Sequence, residues 1–218
     1  MAVRVVLART AVAVAGAPVS AAEPIIHATP SHGRQASAPD DNARAGIPIW
    51  RTITLDAQTG VDAYRDALDA AGIKVGVAAD EILGRPVFAY ATMKLEVELA
   101  IVSVAELGLE AEASSQSEIY ARAKRIGFEL CLAEFGPRLR LDYHDQPLGE
   151  ALDVAMEPVA TYSGELTILA LVNFGSGLAL IGSDGRSGAM VPRNRRFVFA
   201  LPARDRLEAR RDGEPVIP

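Results

Sequence analysis

Apolar residues change their period several times along this chain, and each change predicts an element. Ile49 to Leu55 alternates apolar with polar residues, the period-two pattern of a strand with one buried face. Val61, Tyr64, Leu68 and Ala71 fall on one helical face, with Thr59 placed as N-cap and Gly72 as C-terminal stop. Asp80 to Leu83 predicts a short turn of helix before Pro86. Leu95 to Val104 first alternates with Glu96 and Glu98 and then becomes continuously apolar, as in a strand entering a core covered on both faces. Ser115-Gln116-Ser117-Glu118 is a capping box, and Ile119, Ala123 and Ile126 form the buried stripe of a helix ending at Gly127.

The remainder reads as β-rich. Arg138 to Tyr143 places Leu139, Leu141 and Tyr143 on one face and Arg138, Arg140 and Asp142 on the other. The next strand turns Leu152, Val154 and Met156 inward and Asp153 and Glu157 outward. Pro147 and Gly149 suit the first central and last positions of a tight turn joining the two as a hairpin. Leu166 to Val172, Leu178 to Ile181 and Phe197 to Leu201 add apolar strands, linked by Gly-rich and polar loops. Early helices followed by a run of strands define an α+β fold, with two or three helices against a mainly antiparallel sheet of about six strands. One domain is expected over residues 47–201. Residues 1–46 read as a disordered leader, or a signal peptide plus linker, and residues 202–218 as a charged flexible tail.

Charge and cysteine usage narrow the function. The formal net charge of −6 argues against a dedicated nucleic-acid binder. The distribution is uneven: Asp56 to Glu118 holds twelve acids against four bases, whereas Arg186 to Arg211 holds eight Arg against two acids. A weak nucleic-acid contact through the Arg-rich C-terminal loop is therefore a second alternative. Val104 to Gly108 before the capped helix also sketches a helix-turn-helix. The single cysteine, Cys131, excludes an internal disulfide, and three scattered histidines supply no zinc site. Gly175-x-Gly177 and Gly182-x-x-Gly185-x-x-Gly188 lie between strands and lack the helix N-terminus of a phosphate cradle, so no cofactor is expected. No run reaches the length of a membrane-spanning helix.

Two constellations carry chemistry. Cys131, His144 and Glu134, with Asp142 and Asp145 nearby, contain the residue types of a thiol-imidazole-acid set, the basis for a small cofactor-free hydrolase. Cys131 also follows Phe128 and Leu130 at alternating spacing, which suits a core thiol. Arg138, Arg140, Gln146, Glu150 and Glu157 form a polar group on the expected hairpin, in which outward residues pair across the strands or Arg140 grips an anion. Arg193, Arg195 and Arg196 supply a second contact surface.

The segments IWRTITL, VSVAELG, SEIYARAKRIGFELCLAEFGPRLRLDYHDQPLGEALDVAMEPV and RFVFALP, spread from about Trp50 to Leu201, resemble a group of small uncharacterised bacterial proteins. The resemblance implies a shared fold and brings no activity with it. Cys131-Leu132-Ala133-Glu134 replaces the Cys-Pro-Ala-Glu common in the group, and Ala151 stands where an aromatic residue is usual.

These readings lead to a soluble, cytoplasmic, non-catalytic binding or interaction module, with export as the alternative if residues 1–22 direct it. Its partner is expected to be another protein or a small anionic ligand. A binding surface tolerates single changes and fails when several exposed Arg are reversed, whereas a hydrolase is lost with one side chain.

Overall fold

The alternation at Ile49–Leu55 is realised as strand β1 (Arg51–Leu55), in which Ile53 and Leu55 are buried and Thr52 is exposed. The computed structural model describes residues 46–56, 60–85 and 94–202, all within the unit Ser37–Pro218. The leader, the N-cap expected at Thr59 and the tail beyond Pro202 lie outside the described residues. The next helix, α1 (Val61–Ala70), has Gly60 at its N-cap position and buries Tyr64 and Leu68. Strand β2 (Lys74–Val75) leads into α2 (Val77–Leu83), a longer helix than the turn expected there. The two-period of Leu95–Val104 becomes β3 (Leu95–Ser103). After β4 (Ala113–Ser115), the capping box forms as written: Ser115 and Glu118 bond reciprocally at the start of α3 (Gln116–Arg125). A cap of this kind contributes about 1 kcal/mol.

The largest departure from the sequence reading is α4 (Phe135–Asp142), a helix where a strand was expected. Leu139 and Tyr143 are four residues apart, so the residues that alternate by two also satisfy a helical period. The amide of Tyr143 bonds to the carbonyl of Leu139 at 2.8 Å. Pro137 sits in the first turn, where its missing N–H costs nothing. Gly136 lets the helix approach the sheet closely, since a Cβ there would lie 2.5 Å from Leu169 Cδ1. No hairpin therefore joins residues 138–143 to the strand that follows.

The later elements are β5 (Ala151–Val154), β6 (Val159–Ala160), β7 (Leu166–Asn173), β8 (Leu178–Asp184), β9 (Met190–Pro192) and β10 (Arg196–Ala200). Eight strands form one sheet in the order β1-β3-β10-β5-β7-β8-β2, with β6 on β7, and β4 and β9 make a separate ribbon. All pairings are antiparallel except β10 with β5 and β2 with β8. The fold is α+β, with four helices and more strands than expected; the extra strands are two or three residues long and carry no periodic signal.

Helices cover both faces of the sheet. Gly136 of α4 meets Leu169 of β7, and Ala78 of α2 lies against Gly182 of β8. On the opposite face, Tyr120 of α3 stands edge-on to Phe197 and Phe199, and Phe128 packs on Phe199. Such aromatic pairs add about 0.5–1.5 kcal/mol each beyond area burial. Double coverage corrects the position of Asp153, expected outward: it is 4% exposed and forms a forked pair with Arg195, both bonds 2.6 Å long. The turn before β5 is shifted by one residue, with the Glu150 amide bonding to the Pro147 carbonyl at 3.1 Å. Gly149 takes φ 79°, a value that favours glycine.

Candidate functional site

The strand directions bring several loops to one end of the sheet. Ser103, at the end of β3, is the register partner of Arg196 at the start of β10. Arg196 is in turn opposite Leu152, next to the start of the parallel strand β5. Trp50 bonds through its amide to the Leu99 carbonyl, so the chain entering β1 arrives at the same end. Here a cleft of about 560 Å³ is lined by Gly46–Trp50, Ile101, Glu106 and Arg196, within the size range of small-molecule sites.

A polar chain runs into the cleft from the helical layer. Tyr143, which closes α4, donates to Glu150 Oε2 at 2.8 Å, and Arg196 Nη1 donates to Glu150 Oε1 at 2.5 Å. Glu150 thus uses one oxygen for each partner and holds Arg196 at the mouth. Burial, then the bond to Glu150, pushes the Tyr143 hydroxyl up to about 12. Trp50 stands edge-on to Tyr143 with ring centroids 4.9 Å apart, and the Arg51 guanidinium lies over both rings at 5.0 and 5.2 Å. Arg51 is fixed by its bond to the Asp142 carbonyl. On the other side, Glu106 Oε2 accepts from the Ser103 amide at 2.7 Å and from its hydroxyl at 2.6 Å. Those bonds, assisted by the charge of Arg196, hold the Glu106 carboxyl below its usual range.

The expected polar surface is divided by this arrangement. Arg140, expected outward, is fully buried on α4, where its guanidinium donates to Gln146 Oε1 and to the Tyr143 carbonyl. Burial lowers its pKa to about 10, which still leaves it charged at neutral pH. Gln146 is also buried and donates onward to the Leu171 and Glu150 carbonyls. Both therefore brace the core behind the site. Arg138 lies on the outer side of α4 and bonds to Asp142 at 3.1 Å. Glu157 lies beyond β5 beside Lys124, 3.7 Å away. Arg195 is committed to Asp153, whereas Arg193 and Arg196 are exposed. Of the binding candidates, Glu150 and Arg196 meet at the cleft.

Cys131, Glu134 and His144 occupy different surroundings. The Cys131 thiol donates to the Val198 carbonyl inside the core, and burial raises its pKa. Glu134 is fully buried and accepts from the Tyr64 hydroxyl at 2.9 Å. His144 is exposed in the loop after α4. Val104–Gly108 forms a turn followed by β4, so the first helix of a helix-turn-helix is not present there.

The residues missed by sequence reading are Ile49, Trp50, Ile101 and Glu106. Their contribution depends on β1, β3 and β10 lying side by side, which no local pattern announces. Two other clefts, of about 810 and 380 Å³, lie beside α2. In each, one ion pair joins two lining residues, Arg65 with Asp80 and Arg186 with Asp184, each at 2.6 Å. Among the described residues, no cluster of His, Cys, Asp or Glu could hold a metal ion, and no helix is long and apolar enough to cross a membrane. No family model matches the chain, and neither a curated protein nor a solved structure matches it.

Proposed function

We propose that this protein is a non-catalytic binding module whose contact surface is the sheet end bearing Ile49, Leu148, Phe174, Arg193 and Arg196. The observation that carries the reading is the exposed Arg196 at the mouth of the cleft, fixed by Glu150. At the same end of the sheet, Ile49, Leu148 and Phe174 are 54%, 75% and 64% exposed. The loops of Leu148 and Phe174 adjoin, because the Gly149 amide bonds to the Asn173 carbonyl at 2.8 Å. An apolar rim with a prepositioned cation suits a partner that offers an anionic group beside apolar surface.

Thermal-shift titration of the full chain against panels of carboxylates, phosphates, amino acids and short peptides tests this. Compounds that raise Tm for the natural chain lose their effect in an Arg193→Glu/Arg196→Glu variant carrying Phe174→Asp. Turnover of an ester, amide or glycoside abolished by Cys131→Ala would replace binding with catalysis.

A further inference from the structure

The cleft presents two opposite charges that form no direct ion pair with each other among the described residues. Arg196 forms its ion pair with Glu150, and Glu106 is held by Ser103. Both lining charges retain polar atoms outside these bonds. Ser103 occupies Glu106 Oε2 only, and Glu150 takes Arg196 Nη1 only. Among the described residues, Glu106 Oε1 and Arg196 Nη2 have no hydrogen-bond partner within the chain. The rest of the lining is Gly46, Ile47, Pro48, Ile49, Trp50 and Ile101, an apolar wall on which a side chain can rest.

Resting on the binding-module reading, we infer that this cleft binds a small zwitterion with an apolar side chain, its carboxylate on Arg196 and its ammonium on Glu106. A guanidinium donates charge-assisted hydrogen bonds to a carboxylate, and a strong ammonium site requires an acceptor that is already ionised. Glu106 meets that requirement because the Ser103 amide and hydroxyl stabilise its anion. Both charges are fixed before the ligand arrives, so little ordering cost falls on binding. A free amino acid supplies all three groups, whereas a peptide C-terminus supplies the carboxylate and side chain without an adjacent ammonium.

The test is isothermal titration calorimetry of the full chain with L-leucine and N-acetyl-L-leucine. Leucine binds the natural chain, and Arg196→Gln weakens it by about tenfold or more, as expected for loss of one charge-assisted contact. Glu106→Gln weakens leucine similarly and leaves N-acetyl-leucine unchanged. Thermal unfolding of each variant establishes that the fold persists, and Ile49→Ser, remote from both charges' bonds, supplies a second readout by weakening both ligands. Equal binding of the two ligands, insensitive to Glu106→Gln, overturns the zwitterion in favour of a chain-terminal carboxylate. Absence of heat with leucine also overturns it. Other compounds from the thermal-shift panel that remain sensitive to the Arg193 and Arg196 reversals would then leave the binding-module reading standing. With none, both fail.

Discussion

Arg140 and Gln146 are both buried, and the guanidinium of the first donates to the side-chain oxygen of the second. The amide nitrogen of Gln146 then donates to the Leu171 carbonyl at 3.0 Å, tying α4 to β7. A charged group in the core is thus solvated by an amide and a carbonyl in place of water, and Arg140 Nε has no partner among the described residues. This brace supports Tyr143, which donates to Glu150, the residue that also holds Arg196.

Gln146→Leu removes the acceptor and leaves the cation buried. The expected loss is about 1.5–3 kcal/mol, the range for a hydrogen bond to a charged group. Adding Arg140→Met restores part of that loss, because an apolar pair carries no uncompensated charge. Urea unfolding of the single and double variants measures both quantities. A double variant less stable than Gln146→Leu alone would contradict the account.

Cys131 is expected to resist alkylation in the native protein. Its thiol is buried, donates to a backbone carbonyl and has a raised pKa, all of which withhold the thiolate that reacts. Labelling with iodoacetamide should follow the rate of unfolding across a denaturant series. Rapid native labelling with a thiolate formed near neutral pH would revive the hydrolase reading.

Stability should fall in alkali as pH rises from about 10, the usual tyrosine value, to the value of about 12 set for Tyr143 by burial and Glu150. In that window the unfolded tyrosine has lost its proton and the folded one retains it, so fewer protons are bound in the unfolded state and stability decreases with pH. The contribution is complete below pH 10. Absorbance of tyrosinate near 295 nm, compared with Tyr143→Phe, shows the late titration directly. Tyr64 and Tyr120, also raised by burial, should titrate later still.

Gly136→Ala is expected to cost about 1–3 kcal/mol, the range for overpacking a core. The added methyl would lie 2.5 Å from Leu169 Cδ1 and 3.2 Å from its Cβ. Leu169 is fully buried, so α4 must lift from the sheet. Chemical denaturation gives the energy. Because α4 ends at Tyr143, ligand binding at the cleft should weaken in the same variant.

The sequence by itself determined the elements whose information is local. Ser115 and Glu118 write both halves of a cap within four residues, and the apolar runs of β3, β7, β8 and β10 leave little choice but a sheet interior. The segment 135–142 was ambiguous, because Leu139, Leu141 and Tyr143 serve a strand and Leu139 with Tyr143 serve a helix. Close contact with Leu169 and the acceptors around Arg140 favour the helix, and neither is visible locally. Tertiary structure alone decided that β10 enters between β3 and β5, that helices cover both faces of the sheet and bury Asp153, and that Arg140 is buried on α4. It likewise decided that Trp50, Glu106, Glu150 and Arg196 share one end of the sheet. Periodicity reports which side chains leave water; strand order depends on the pairing of distant segments, and that pairing makes the cleft.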